Sequence, residues 1–223
     1  MENPHIVKKF DKNLQKIKSV ILEMGSMVSW QVEDATGVLF AYDPKEVARI
    51  EELDLTINGY HKDIHSRAEI LIARRQPVAF DLRATLAPIE VARELERIGD
   101  YAKTIAGFAS VLAQTAPDAE HIVLINQMSD AVQVMLDDVL RAYMAGDIDL
   151  AAQVRSQDLQ IDTLNETIRK NATEMAGVSA DDAQACIAII LVAQKLERVG
   201  DHITNISRYI HQVYTGDDLK RFK

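Results

Sequence analysis

The sequence predicts an all-α protein made of two tandem, sequence-related three-helix bundles, with six long helices in all. Three observations carry this reading. Apolar residues recur at helical spacing, only 5 Pro and 9 Gly interrupt 223 residues, and the whole pattern occurs twice. Ala, Leu, Ile, Glu and Gln are abundant and aromatics are 5%, a balance that favours helix over strand. At 48% hydrophobic and 26% charged, the chain can bury a substantial core.

The helices follow in order. A first runs from about residue 5 to 41, with Leu14, Ile17, Ile21, Met24, Val28 and Val32 on one stripe. Asp43-Pro44-Lys45-Glu46 then reads as an N-cap, a proline at the first helical position and a capping-box glutamate. The second helix stops before Arg75-Gln76-Pro77. A third begins between Val78 and Asp81, where Asp81 is a candidate cap. It continues to about Ala113, with a bend expected at Pro88. Ala116-Pro117-Asp118 opens a fourth helix that ends near Ala145-Gly146. Asp147 caps a fifth, which reaches about Glu174. After Gly177, Ser179 with Asp182 three residues on opens a sixth, ending near Tyr214-Thr215-Gly216.

The restart is a repeat that can be followed residue by residue. Met24 corresponds to Met128, Val28 to Val132, Asp43 to Asp147, Asp54 to Asp158, Leu55 to Leu159, Ile57 to Ile161 and Ile64 to Ile168. Further on, Leu95-Glu96-Arg97-Ile98-Gly99-Asp100 corresponds to Leu196-Glu197-Arg198-Val199-Gly200-Asp201. The register shifts between these two stretches because the second copy is three residues shorter before its third helix, in a connection where length is tolerated. The expected units are 1–115 and 116–223.

Several function classes are set aside by composition. A formal net charge of −9 argues against nucleic acid as a partner. The single cysteine, Cys186, lies in the longest apolar run, Ala185 to Ala193, and reads as a buried, inert thiol. That run is far too short to span a bilayer, and Met1 to Asp11 shows no apolar h-region, so a cytoplasmic protein is expected. The methionines at positions 24, 27, 128, 135 and 144 read as core filler. There is no Gly-rich phosphate loop, no nucleophile elbow and no cysteine pair. The Glu-x-x-His signature of ferritin-like di-iron bundles is absent too.

What remains is acidic. Glu96 and Asp100 lie four apart on one helix face, as do Glu197 and Asp201. Like charges at that spacing cost roughly 0.2–0.5 kcal/mol, and the intervening Gly99 and Gly200 cost about 1 kcal/mol each against alanine. Both penalties occur twice, at matching places, so something should offset them. Asp158 and Asp162 on the fifth helix form a further one-faced pair, and the matching residues of the second helix are Asp54 and Asn58. Each unit can thus bring oxygen ligands from two helices to one patch, suited to a hard or borderline cation such as iron, manganese, magnesium or zinc. His61, His65 and His202 are sequence neighbours that could add nitrogen ligands. The plainer alternative pairs Glu96 and Glu197 with Arg93, Arg97 or Arg198 on a solvated face, and uses Gly99 and Gly200 for close helix packing.

Three stretches, Arg75-Gln-Pro-Val-Ala-Phe-Asp-Leu-Arg83, Glu94-Leu-Glu-Arg-Ile-Gly-Asp-Tyr-Ala102 and Leu196-Glu-Arg-Val-Gly-Asp-His-Ile-Thr-Asn-Ile206, together resemble the PhoU family over essentially the whole chain. The resemblance implies a non-enzymatic cytoplasmic adaptor of phosphate homeostasis. It would couple the cytoplasmic subunits of a phosphate ABC transporter to a membrane sensor histidine kinase, and repress phosphate-starvation genes when phosphate is plentiful. It also implies a homodimer, peripheral to the membrane only through its partners, and multinuclear iron or zinc clusters held by the Glu-x-x-x-Asp motifs. Those motifs are Glu96 with Asp100 and Glu197 with Asp201, accompanied by Asp54, Asp158 and Asp162. Asn58 departs from an acidic pattern, so the first site is expected to hold fewer ions. Two other classes stay open at this point. One is a metalloenzyme with a carboxylate-bridged cluster, which would need an open coordination position and an activated water. The other is a metal-free structural bundle.

Overall fold

In the computed structural model the described residues are 4–115, 117–175 and 180–217, and the secondary structure among them is entirely helical. The helices are α1 (Pro4–Gly37), α2 (Pro44–Arg75), α3 (Ala79–Gly107), a single turn α4 (Ala109–Leu112), α5 (Ala119–Ala145), α6 (Ile148–Met175) and α7 (Ala180–Thr215). The third predicted helix is therefore two: it ends at Gly107, and one further turn, α4, follows. The expected openers Ala116, Gly177 and Ser179 lie outside the described residues, as does the side chain of Asp182.

Capping follows the sequence in three places and departs from it in two. Asp43, Asp118 and Asp147 accept from the backbone N–H groups of Lys45 (2.8 Å), Glu120 (3.0 Å) and Leu150 (2.9 Å). Glu46 does not complete a capping box, because its carboxylate meets Arg49 at 2.8 Å. Asp81 does not cap α3, whose N-cap is Val78; Asp81 sits inside the first turn. Gln76 closes α2 in the left-handed region (φ 47°), donating its N–H to the Ile72 carbonyl. Pro88 lies within α3, which runs through it as one helix.

Each unit is a three-helix packing: α2 rests on α1 and α3, and α6 on α5 and α7. The units join where α1 lies on α5 and α3 on α7, leaving α2 and α6 as the outer flanks. The apolar stripe of α1 (Ile17, Ile21, Met24, Val28, Val32) is buried in one continuous core shared by both halves. Each such Ile or Val contributes roughly 1.5–3 kcal/mol by burial.

The contacts between units obey a pseudo-twofold relation. Gly25 of α1 approaches Leu140 of α5 so closely that an added Cβ would stand 2.6 Å from its Cδ1. The corresponding pair, Ser129 and Thr36, meets through its hydroxyls at 2.9 Å. Ser29 and Gln133, also equivalent, bond to each other twice. On the α3/α7 side, Glu94 takes His202 Nδ1 at 2.6 Å, and the equivalent residues Lys195 and Tyr101 make a cation–π contact at 5.5 Å. None of the described helices is long and apolar enough to cross a membrane.

Candidate metal centre

The two copies of the acidic motif occupy equivalent places, on α3 against α2 and on α7 against α6, yet their surroundings differ. In the second unit, Asp158 and Asp162 of α6 lie opposite Glu197 and Asp201 of α7. Asp158, Asp162 and Asp201 line a groove of about 1000 Å³. Gly200 permits this approach: a Cβ there would stand 2.6 Å from Asp158 Oδ1 and 3.2 Å from Ile161 Cδ1. Burial, then the charges of Asp162, Asp201 and Glu197, push the Asp158 carboxyl up to about 7. Burial and Asp201 also raise Asp162 and Glu197, with Arg198 opposing the effect at Glu197. Arg198 reaches Asp201 at 3.3 Å and Glu197 at 3.7 Å, so the patch is partly but not fully neutralised.

The first unit answers the same problem with a side chain of its own. Asp54, 3% exposed, accepts from Lys103 Nζ at 2.7 Å and from Asn58 Nδ2 at 3.4 Å. That bond to Asp54 is the largest of the influences that raise the Lys103 ammonium, though burial opposes it. Arg97 spans Glu96 (3.6 Å) and Asp100 (3.3 Å), as Arg198 does in the second unit. Gly99 corresponds to Gly200, but the atom nearest its would-be Cβ is Gln31 Oε1 at 2.9 Å rather than the aspartate. Lys103 escaped the sequence reading. The repeat could have revealed it, because its counterpart is Thr204 and that of Asn58 is Asp162. Between them these two exchanges give the second patch one more negative charge and one fewer positive, a net difference of two units.

Of the expected histidines, His202 lines the same groove as Asp158, Asp162 and Asp201, but its ring is engaged by a carboxylate of the other unit, Glu94. His65 pairs with Glu69 on the exposed side of α2. Glu94 is itself a buried acid that the sequence did not single out. Burial would raise it, but His202, Asn205 and Arg93 together hold it below its usual value. Both Glu-x-x-x-Asp pairs do have an arginine neighbour and both glycines do serve close helix approach, as the plainer alternative supposed.

The second patch fits a hard or borderline cation by its chemistry: four carboxylates from two helices, a glycine cradle and a charge excess. The first does not, since an ammonium already occupies the centre of its charge. Among the described residues, no three His, Cys, Asp or Glu side chains converge on one point as they stand. Occupation of the second patch therefore requires its carboxylates to turn inward.

Fold and site together define a class: a duplicated three-helix protein with a Glu-x-x-x-Asp pair on the third long helix of each copy. The family model described as PhoU domain matches residues 21–109 and again 125–210, and the chain belongs to the PhoU family. A phosphate-specific transport system accessory protein PhoU homolog from Caulobacter vibrioides is 34% identical over 96% of this chain and 94% of its own length. One from Pseudomonas putida is 32% identical, over 97% and 84%. The crystal structure of PhoU from Pseudomonas aeruginosa superposes with a TM-score of 0.86 at 30% identity, covering 93% of this chain and 100% of that one. The phosphate transport system regulatory protein PhoU from Streptococcus pneumoniae, 24% identical, shares the fold with a TM-score of 0.84.

Proposed function

We propose that the chain is a regulatory accessory protein of a bacterial phosphate-specific transport system. It would act by binding, without a reaction of its own, as a cytoplasmic adaptor between the phosphate ABC transporter's cytoplasmic subunits and a sensor histidine kinase. Through that contact it represses phosphate-starvation genes when phosphate is ample. The observation that carries this reading is full-length kinship to proteins named as accessory to that transport system, at up to 34% identity. Consistent with a binding role, the groove of about 1000 Å³ between α6 and α7 is an open, charged surface rather than an enclosed pocket.

Asp158, Asp162, Glu197 and Asp201 are proposed to hold iron, zinc or manganese. A bound cation would cancel their mutual repulsion, tying α6 to α7 and stiffening the face offered to a partner. The first unit reaches the same end through Lys103.

Deleting the gene in its host tests the regulatory role. Phosphatase and transporter genes should be expressed despite ample phosphate, and the intact gene should restore repression. Normal repression after deletion would refute the proposal. Copurification with the transporter's ATP-binding subunits, lost on charge reversal along the α6/α7 groove, tests the adaptor role.

A further inference from the structure

We propose a second, unrelated site: a cleft at the far end of the first unit that binds a small, multiply charged phosphate-bearing anion, of the oligophosphate or nucleoside polyphosphate class. Between the start of α1 and the end of α2 lies a cavity of about 320 Å³. Lys9 and Lys16 line it from α1, and Arg67, Arg74 and Arg75 from α2. Five cations around one depression stand out in a chain of net charge −9. Only Arg67 has an acidic partner, Asp63 at 2.7 Å. Lys9, Lys16, Arg74 and Arg75 make no ion pair or hydrogen bond with another described residue. Arg74 and Arg75 do complement the negative end of α2. Lys9 and Lys16 have neither an acidic partner among the described residues nor a helix end to complement.

The second unit provides an internal control. Lys16 corresponds to Glu120 and Arg67 to Asn171, and there the pair bonds to itself, Asn171 Nδ2 donating to Glu120 Oε1 at 2.8 Å. A cavity of only about 10 Å³ lies near that pair, between His121, Met175 and the α7 residues Ala185, Cys186 and Ile189. One pair of positions is thus joined by a hydrogen bond in one copy and carries two cations at the rim of a cleft in the other. Like charges around a cleft oppose one another unless an anion lies between them. Guanidinium and ammonium groups together match several phosphate oxygens at once. The wall formed by buried Ile17 and Leu71 with half-exposed Ile70 suits an apolar moiety carried by that anion. The volume sits at the lower end of the range of small-molecule pockets, about 300–1,000 Å³. A concave cleft between two helices also fits a small ligand better than a bilayer surface.

Calorimetry on the full chain, in chelated buffer at about 50 mM salt, would use ATP and tripolyphosphate as probes. Lys16→Glu/Arg67→Asn installs the pair the second unit already uses, so helicity and melting temperature report that the fold survives. Lys9→Gln/Arg74→Gln, both exposed, is the second variant. Binding of either probe should weaken at least about tenfold in each variant, as loss of charge-assisted bonds requires, and should fall as salt rises. Three results would overturn the proposal: unchanged affinity in both variants, no binding of either probe, or binding to anionic phosphatidylglycerol vesicles without binding to a soluble probe.

Discussion

Lys103 places its ammonium 2.7 Å from the Asp54 carboxylate, while at the same two positions of the second unit Thr204 stands beside an Asp158 that makes no ion pair among the described residues. The two patches are one design in two charge states. In the first, the counter-ion is part of the chain. In the second, it must come from solution or be done without.

Removing the ammonium should therefore hurt. In Lys103→Met, Asp54 stays buried without its ion pair, and a stability loss of about 1–3 kcal/mol is expected. Chemical denaturation measures it, and Asp54→Asn in the same background should restore part of the loss. A Lys103→Met protein as stable as the parent would show that Asp54 is satisfied by Asn58 alone.

The reverse exchange should create a site. Asn58→Asp/Lys103→Thr gives the first unit the residues of the second, and its metal content by mass spectrometry should exceed that of the parent. Asp158→Asn/Asp201→Asn should lower the content in either background. If neither change alters the bound metal, the patches are charged surface and nothing more.

Acidity offers a metal-free test. Asp158 stands at about 7 in the fold, against about 3.9 in an unfolded chain. Between those values the folded state holds the extra proton, so stability falls as pH rises through the window. Raised Asp162 and Glu197 act in the same direction, and Glu94, held low, titrates at more acid pH. Chelated protein should lose stability from pH 5 to pH 8, and Asp158→Asn should flatten the slope. An equal slope in the variant would place the titration elsewhere.

At the join between units, Gly25→Ala would drive a methyl against Leu140, whose Cδ1 stands 2.6 Å from the added carbon. Overpacking of this kind costs about 1–3 kcal/mol, partly offset by about 1 kcal/mol of helix propensity. Gly37→Ala, where nothing lies within 4 Å, should stabilise instead. A thermal melt of the pair separates backbone preference from interface packing.

How much of this could be read from the chain depended on what repeats. Ile17, Ile21, Met24, Val28 and Val32 reveal α1 because burial imposes the helical period on them directly, and Asp43 and Asp147 declare helix starts through local bonds. Glu46 and Asp81 misled because a carboxylate near a helix start has competitors, here Arg49 for the first and an in-helix position for the second. The acidic pairs were visible as like charges at matching places. Lys103 was not, since a lysine one turn after an aspartate looks like an ordinary surface neighbour until α2 is folded against α3. Glu94 and His202 were hidden for the same reason: their bond crosses from α3 to α7, and no local pattern encodes it.

The reciprocity at the α3/α7 contact has a consequence for assembly. Position 94 meets 202 and position 195 meets 101, which is how two identical subunits touch across a dyad. In such a dimer every substitution appears twice, and any surface on offer seats two guests. Joined into one polypeptide, the halves are released from that obligation. A glutamate can stand where its twin is a lysine, and an acidic patch can be filled at one end and bare at the other. The molecule acquires a front and a back, and each chain can give a partner a single seat.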